Sequence, residues 1–260
     1  MMGKKIDRTG EKGINAFGSE MIIVKYKNAS DIDVYFPEYN YIAKGVTYNN
    51  FKKGLIKCSY ERRVYEKGYV GEGEYKTKEN GKQIRVYDTW HGMLERCYDK
   101  KWHKKYPNYI GCKVSKEWHN FQNFAKWYYD NYYEVKGERM HLDKDILLKH
   151  NKIYSKENCI FVPQTINGLF AKCDKSRGDS VIGTSFLKNG KYQVSCSLLN
   201  PETGKSKSKY LGIYDTEIEA FKIYKYYKEK NIKEVADYYK ELIPEKLYDG
   251  MCNYEVEIDD

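Results

Sequence analysis

The sequence predicts an α+β protein built from three modules. Residues 1–78 contain short β-branched and aromatic runs, which predict a small N-terminal β domain. Residues 79–175 combine helical periodicity with a strand–loop–strand–helix segment, which predicts a ββα core with helical flanks. Residues 176–260 predict a C-terminal three-stranded antiparallel sheet, a covering helix and an acidic tail. A chain of 260 residues has the length for two or three small domains.

The first module opens with two predicted strands. Met21–Lys27 and Asp31–Phe36 are rich in β-forming residues and are separated by Asn-Ala-Ser, a turn signal. Val46–Lys53 predicts a short helical turn closed by Gly54, after which the pattern favours renewed β structure. The three glycines of Gly68–Tyr75 are interpreted as turn residues, because no helix follows them as a dinucleotide-binding loop requires. We expect a small, barrel-like domain.

The helical flanks of the second module are predicted from apolar spacing. Residues 77–83 are polar and predict a linker, and the next segment has an apolar stripe typical of a helix. That stripe consists of Val86, Trp90, Met93, Leu94 and Cys97. Lys100–Gly111 predicts a basic, aromatic loop, and Ser115 is the expected cap of a further helix. The stripe of this helix, interpreted as core, consists of Trp118, Phe121, Phe124, Ala125 and Tyr128.

The ββα segment begins with a predicted strand at Met140. A loop, a second short strand at Cys159–Val162 and a helix with Pro163 in its first turn complete it. The sequence thus places two strands and a helix within about thirty residues.

The third module has the clearest local signals. Asn189-Gly190 predicts a tight hairpin between the first two strands. Thr216–Glu219 is a capping box that opens a helix, and Ile232 begins the apolar stripe of a second helix that Pro244 ends. Tyr254–Ile258 is a candidate strand in the tail.

The composition excludes several classes of protein. The sequence has no run of about 18 apolar residues, so we expect no membrane span, and its first residues lack the apolar core of a signal peptide. Its seven cysteines show no metal-ligand or redox spacing and are interpreted as reduced thiols of a cytoplasmic protein.

The charge distribution favours a phosphate-rich partner. The formal net charge is +9, although the last 17 residues contribute six acidic groups against one basic group. The rest of the chain is therefore strongly basic, as expected of a protein that contacts a nucleic-acid backbone. The alternative is an ordinary lysine-rich surface.

The second predicted strand of the third module alternates between apolar and polar residues. Its apolar face must pack on the helix, because a three-stranded sheet needs a partner layer. The apolar positions are Tyr192, Val194, Cys196 and Leu198, and the opposite positions are Lys191, Gln193, Ser195 and Ser197. The lysines expected to flank the open face are Lys188, Lys205, Lys207 and Lys209. A β-ribbon of this width fits the major groove of DNA, which is about 12 Å wide.

This module resembles the AP2-type DNA-binding domain. The shared pattern is Gly183, Lys191-Tyr192, Tyr210-Leu211-Gly212, Tyr214 and Thr216–Ala220. The resemblance implies that the sheet binds double-stranded DNA through seven candidate residues. These are Lys188, Lys191, Gln193, Ser195, Lys205, Lys207 and Lys209. The arginines usual in that family are absent, which puts sequence-specific recognition in doubt more than DNA binding, since lysine lacks the fork that recognises guanine. The alternative is a solvated sheet face.

The segment from His141 to Asn167 resembles the ββα-metal (HNH) core of phage and homing-type endonucleases. With the upstream stretches TWHGMLERCY, GCKV and EWHNFQNFAKWY, it is similar to phage-borne proteins that join such a core to an AP2-like domain. The resemblance covers Arg85–Lys240 and implies that Asp143 and Asn167 hold one metal ion while Asn158 orients the general base. Mg²⁺ is the expected ion because oxygen ligands suit a hard cation.

The general-base position departs from the family. Lys144 follows Asp143 where the family has histidine, and a protonated lysine cannot accept a proton near neutral pH. His141 shares the strand face of Asp143 and is one substitute, while His150 and His119 are others. Alternatively, Lys144 binds phosphate in a core that no longer cuts DNA.

A structural role is a further alternative for the carboxylates. Asp143 and Asp145 would then pair with Lys144 or Lys149, or cap a turn.

The sequence therefore predicts a phage-type DNA-binding protein of the host cytoplasm, with double-stranded DNA as its partner. A magnesium-dependent homing-type endonuclease is one expectation. A catalytically inactive HNH/AP2 relic that binds DNA or a host protein, as a regulator or anti-defence inhibitor, is the alternative. Binding of single-stranded RNA through the many aromatic residues is a third.

Overall fold

The computed structural model describes residues 6–170 and 180–258 and shows a mixed α+β fold with several small sheets, as the sequence predicts. Two units divide the chain, Met1–Tyr129 and Asp130–Asp260. The module boundary predicted between residues 175 and 176 lies outside the described residues, as does Cys173.

The first unit begins with a four-stranded antiparallel sheet. Its strands, in spatial order, are β1 (Lys12–Ile14), β2 (Glu20–Asn28), β3 (Asp31–Phe36) and β4 (Tyr41–Val46), and α1 (Tyr48–Lys52) follows. The predicted strands and helical turn are thus confirmed, but the sheet is an open meander and the barrel-like expectation is wrong. The buried core includes Met21, Ile23, Ile32, Val34, Phe36 and Phe51.

The segment after α1 differs from its prediction. Residues 55–67 form no strand, and Val64 makes only an isolated bridge with Gly68. Gly68 lies where an added Cβ would stand 2.5 Å from Leu94 and 2.8 Å from the ring of Trp90. Its interpretation as a turn residue is therefore incomplete, because close packing on the next helix also requires glycine there.

A buried ion pair, which the sequence pattern does not indicate, holds this segment. The Glu61 carboxylate is 4% exposed and accepts hydrogen bonds from the Arg63 guanidinium, at 2.7 Å from Nε, and from the amide of Asn15. The guanidinium also stacks on the ring of Phe17 at 3.9 Å. The segment is thus fastened to the N-terminal sheet by charge and hydrogen bonds.

The predicted linker is a hairpin. Lys78–Glu79 (β5) pairs with Lys82–Gln83 (β6), and Asn80 and Gly81 between them have φ of 48° and 76°. Positive φ at both central residues is the geometry that Asn-Gly favours in a two-residue hairpin loop.

Both helical stripes of the first unit are confirmed. The helix α2 (Arg85–Tyr98) buries all five residues of the first predicted stripe. The five residues of the second stripe are buried in α4 (Phe121–Asn131) and in the short 3₁₀ turn before it. The predicted basic loop instead contains α3 (Lys100–Lys105), because the Asp99 side chain accepts a hydrogen bond from the Lys101 amide at 2.8 Å.

Two shorter features complete the first unit. The strand β7 is Lys113–Val114. Ser115 makes no side-chain cap, and Asn120 accepts a hydrogen bond from the Gln122 amide at 3.0 Å at the start of α4. The predicted cap at Ser115 is therefore wrong.

The second unit contains the strand–loop–strand–helix segment. The strand β8 (Met140–Asp143) pairs with β10 (Ile160–Pro163) in antiparallel register, and α5 (Gln164–Leu169) follows directly, after Pro163 as its N-cap. The short strand β9 (Ile153–Tyr154) lies in the loop between them. The predicted ββα order is confirmed.

The last sheet also has its predicted order. The strands β11 (Thr184–Phe186), β12 (Tyr192–Asn200) and β13 (Lys205–Tyr214) are antiparallel neighbours, and α6 (Glu217–Tyr239) covers one face. The Asn189-Gly190 hairpin and the Thr216 capping box are confirmed.

Three details at the C-terminus differ from prediction. The two expected helices are one helix, α6, which continues through Asn231. Pro244 does not end it but precedes α7 (Glu245–Cys252) as its N-cap. Residues 254–258 contain no strand. The six described cysteines are thiols and five are buried, as expected.

Candidate functional site

The strand β8 brings two of the candidate residues to one face. Side chains alternate along a strand, so His141 and Asp143 point to the same side of the hairpin. Both are partly exposed, opposite Val162 and Ile160 of β10. The predicted shared face is confirmed.

Asp143 caps the turn that follows β8. Its Oδ1 accepts hydrogen bonds from the backbone N–H groups of Asp145 at 2.9 Å and Ile146 at 2.7 Å. Burial and the neighbouring Asp145 carboxylate raise the pKa of Asp143 to about 6, against the lowering effect of these hydrogen bonds. One oxygen therefore has a structural role, and the other, Oδ2, accepts no hydrogen bond from the described residues.

Lys144 is turned inward. It is 8% exposed, its Nζ lies 2.5 Å from Asp145 Oδ2, and it stands 5.9 Å from the ring centre of Tyr154. Its charge is therefore matched by Asp145, which is the structural pairing that the sequence left open for this carboxylate.

Asparagines organise the loop between the strands. Asn151 donates to the Lys144 carbonyl at 2.6 Å and to the Ile153 carbonyl at 2.7 Å, and Asn158 donates to Asn151 Oδ1 at 3.3 Å. Asn167 is partly exposed on α5, which contacts both β8 and β10. Asn158 thus orients Asn151, and through it the backbone next to Asp143.

The other two histidines considered as bases occupy different surroundings. His150, at a φ of 60°, pairs through Nε2 with Glu257 Oε2 at 3.0 Å. His119 belongs to the first unit, where its Nε2 lies 3.4 Å from the Tyr98 hydroxyl. Burial, together with nearby basic side chains such as Arg62, lowers the pKa of His119.

The open face of the last sheet carries uncharged polar groups. Cross-strand partners share a face, and Gln193 lies opposite Ile213 while Ser195 lies opposite Tyr210. Tyr210 is 60% exposed, and the next pair on this face is Ser197 with Ser208. The candidates Gln193 and Ser195 therefore lie together on the surface that the helix leaves open.

The candidate lysines lie elsewhere. Lys209 is opposite Cys196, a buried residue of the helix-covered face, and its Nζ lies 4.8 Å from the ring centre of Tyr227 on α6. Lys205 and Lys207 alternate to the same side and remain exposed. These three lysines border the sheet on the helix side of the edge strand β13.

The remaining two lysines lie near the first hairpin. Lys188 is exposed in the β11–β12 turn, and Lys191 forms an ion pair with Asp215 at 2.7 Å. Asp215 is also exposed, so this pair leaves both groups in contact with solvent.

Two glycines shape the sheet. Gly183, at a φ of 75°, packs so closely on Tyr224 that an added Cβ would stand 1.9 Å from its ring. Gly212, at a φ of 121°, faces Val194 across the bulge in β13. Both positions therefore require glycine, which gives a physical reason for that part of the sequence pattern.

A cleft of about 740 Å³ was not indicated by the sequence. Glu138 lines it and accepts hydrogen bonds from the Tyr239 hydroxyl at 2.8 Å and the Thr165 amide at 3.2 Å. Burial and Glu138 raise the pKa of Tyr239 to about 12. The polar groups of the cleft come from segments far apart in the chain, so no local sequence pattern predicts it.

Comparison with known proteins gives no relative: no family model, no curated protein and no solved structure matches the chain. Within residues 6–170 and 180–258, no three His, Cys, Asp or Glu side chains gather as a metal-binding group. In the same ranges, no helix has both the length and the apolar character to cross a membrane.

Proposed function

We propose that the protein binds double-stranded DNA through the open face of its last sheet, as an AP2-like module. The supporting observation is the row of uncharged hydrogen-bonding side chains on that face, which includes Gln193, Ser195 and Tyr210. Gln suits the major-groove edge of adenine, and hydroxyl groups donate to or accept from any base edge.

The surrounding charges suit the DNA backbone. Lys205, Lys207 and Lys209 lie along β13 beside this face, and Lys188 lies at the hairpin turn. Lysine neutralises phosphate as a point charge, so these residues supply affinity without base specificity.

Fluorescence anisotropy with a labelled duplex tests the sheet. Gln193→Ala is expected to weaken binding about tenfold, the effect of losing one base contact. Tyr210→Ala is compared with Tyr226→Ala, because these tyrosines are 60% and 61% exposed and Tyr226 lies on the helix. Equal affinities of the two tyrosine variants would contradict a DNA-binding sheet face.

We also propose that the ββα segment is an HNH-like nuclease core. Asp143 Oδ2 and the Asn167 amide oxygen would hold Mg²⁺, which neutralises charge at the scissile phosphate when bound. His141, on the face of Asp143, is the candidate that accepts a proton from the attacking water. The supporting observation is the second oxygen of Asp143, which accepts no hydrogen bond from the described residues.

Nicking of supercoiled plasmid with Mg²⁺ or Mn²⁺ tests this core. Asp143→Asn is the informative variant, because its amide oxygen can still cap the turn while the charge of the ligand is lost. We expect the Asn variant to stay folded and to lose nicking, and His141→Ala to lose nicking as well. Undiminished nicking by Asp143→Asn would refute the assignment.

A DNA-binding protein without cleavage is the second candidate. It is favoured by Lys144, which stands where the HNH family has its general base and whose ammonium is matched by Asp145. Salt-sensitive DNA binding without nicking in either metal would select this candidate.

A further inference from the structure

The C-terminal segment lies against a basic pair in the second unit. Glu257 Oε2 stands 3.1 Å from Lys149 Nζ and 3.0 Å from His150 Nε2. The Lys149 ammonium also donates to the Glu255 carbonyl at 2.7 Å and lies 5.1 Å from the ring centre of Tyr254. An anionic oxygen thus already sits between two donors of the loop that follows β8.

The backbone of this segment is fixed separately from the Glu257 side chain. Val256 is 3% exposed, its N–H donates to Glu229 at 2.8 Å, and its carbonyl accepts from Lys225 at 2.9 Å. The Glu257 side chain lies beyond this anchor and is 47% exposed. It can therefore leave Lys149 by rotating about its own bonds while Val256 stays buried.

We propose that Lys149 and His150 form a binding site for a DNA backbone phosphate, and that Glu257 occupies this site in the free protein. The inference rests on the proposed function and deepens it, since it assigns a phosphate contact to the loop that joins the two strands of the ββα core. The carboxylate oxygen marks the place of a phosphate oxygen within hydrogen-bonding distance of both donors.

The surroundings of the two donors support this assignment. Lys149 is only 22% exposed at its side chain, and the Glu255 carbonyl and the Tyr254 ring hold its ammonium in position. The hydrogen bonds from His150 and Lys149 lower the pKa of Glu257, so the competing group is a carboxylate at neutral pH. DNA must displace this charge, so the wild-type chain binds more weakly than a chain without it.

The test uses the full chain and a labelled duplex of mixed sequence at low ionic strength. Glu257→Gln keeps the side-chain shape and removes the competing charge, and it is expected to tighten binding about three- to fivefold, the upper part of the range of one exposed ion pair. Glu255→Gln is the matched control, because it removes the same charge from an exposed side chain two residues away. It is expected to change affinity by less than about twofold.

A second comparison, made in the Lys149→Gln variant, shows whether the effect depends on the proposed phosphate site. In the Lys149→Gln variant we expect weaker DNA binding. Adding Glu257→Gln to it should no longer tighten binding, because the site for which Glu257 and the DNA phosphate compete has been removed. Equal effects of Glu257→Gln and Glu255→Gln would overturn the inference while leaving DNA binding intact, since they would show a general charge effect. Failure of both the wild-type chain and Glu257→Gln to bind the duplex would overturn the proposed function itself.

Discussion

The Asn231 side chain makes the hydrogen bonds to β12 that a neighbouring strand would otherwise make, and the stability lost on removing it can be worked out. Among the described residues, β11 pairs with β12 only from Tyr192 to Val194, so the farther part of that edge lacks a neighbour. Asn231 fills the gap from α6: its amide donates to the Leu199 carbonyl at 2.9 Å, and its oxygen accepts from the Leu199 N–H at 2.8 Å. Asn231 is 4% exposed and Leu199 is 6% exposed.

We therefore expect Asn231→Ala to destabilise the protein by about 2–6 kcal/mol. The change leaves two buried backbone groups without a partner, and each costs about 1–3 kcal/mol. Urea unfolding followed by circular dichroism measures the loss, and hydrogen exchange at the Leu199 amide locates it. The control is Lys233→Ala on the exposed side of the same helix. A loss for Asn231→Ala within about 0.5 kcal/mol of the control, as for an ordinary surface change, would refute the reasoning.

Three further predictions concern stability. Glu61→Ala breaks a buried ion pair and should lower the unfolding free energy by about 3–5 kcal/mol, measured by urea titration. Gly183→Ala drives a methyl group into the Tyr224 ring and should destabilise far more than Gly190→Ala, since both have positive φ but only Gly190 faces open space; thermal unfolding compares them. His119 has a pKa below its ordinary 6.5, so the folded state favours the neutral ring. Stability should fall as pH falls through 6.5, and His119→Gln should flatten that slope.

Local sequence patterns predicted the buried residues correctly where the periodicity of a single helix decides which residues are buried. The stripe from Val86 to Cys97 predicted every buried residue of α2, because residues three and four apart share a helix face. The same logic failed near Asn231, because the sequence analysis began a second helix at Ile232 where the structure has one continuous helix. The hydrogen bonds of Asn231 to Leu199 explain why a polar residue belongs inside the buried stripe.

Both Asn-Gly pairs form hairpin turns, but only the one flanked by long strands was predicted. Asn189-Gly190 was recognised because alternating strands flank it, whereas Asn80-Gly81 joins strands of only two residues. Two residues are too few for alternation to appear, so residues 77–83 looked like a linker. The dipeptide alone was enough to predict the turn.

The candidate metal site was predictable in part. Strand alternation placed His141 and Asp143 together, since a period of two is geometric. The hydrogen bonds of Asp143 and the inward turn of Lys144 depend on the loop conformation, so the sequence could only present them as alternatives. Contacts such as Glu257 with Lys149 join residues about a hundred positions apart and have no local pattern.

The side of the sheet on which the β13 lysines lie could have been worked out from the sequence. The turn from Pro201 to Gly204 sets Asn200 opposite Lys205, and counting back along an antiparallel pair sets Cys196 opposite Lys209. Because Cys196 belongs to the apolar face, its partner must lie on the helix side, which the contact with Tyr227 shows. In the proposed complex with DNA, these lysines would therefore lie at the rim of the edge strand while Gln193 and Ser195 would face the groove. Charge reversal at Lys207 should accordingly weaken binding to all sequences alike, whereas Gln193→Ala should alter the preference among them.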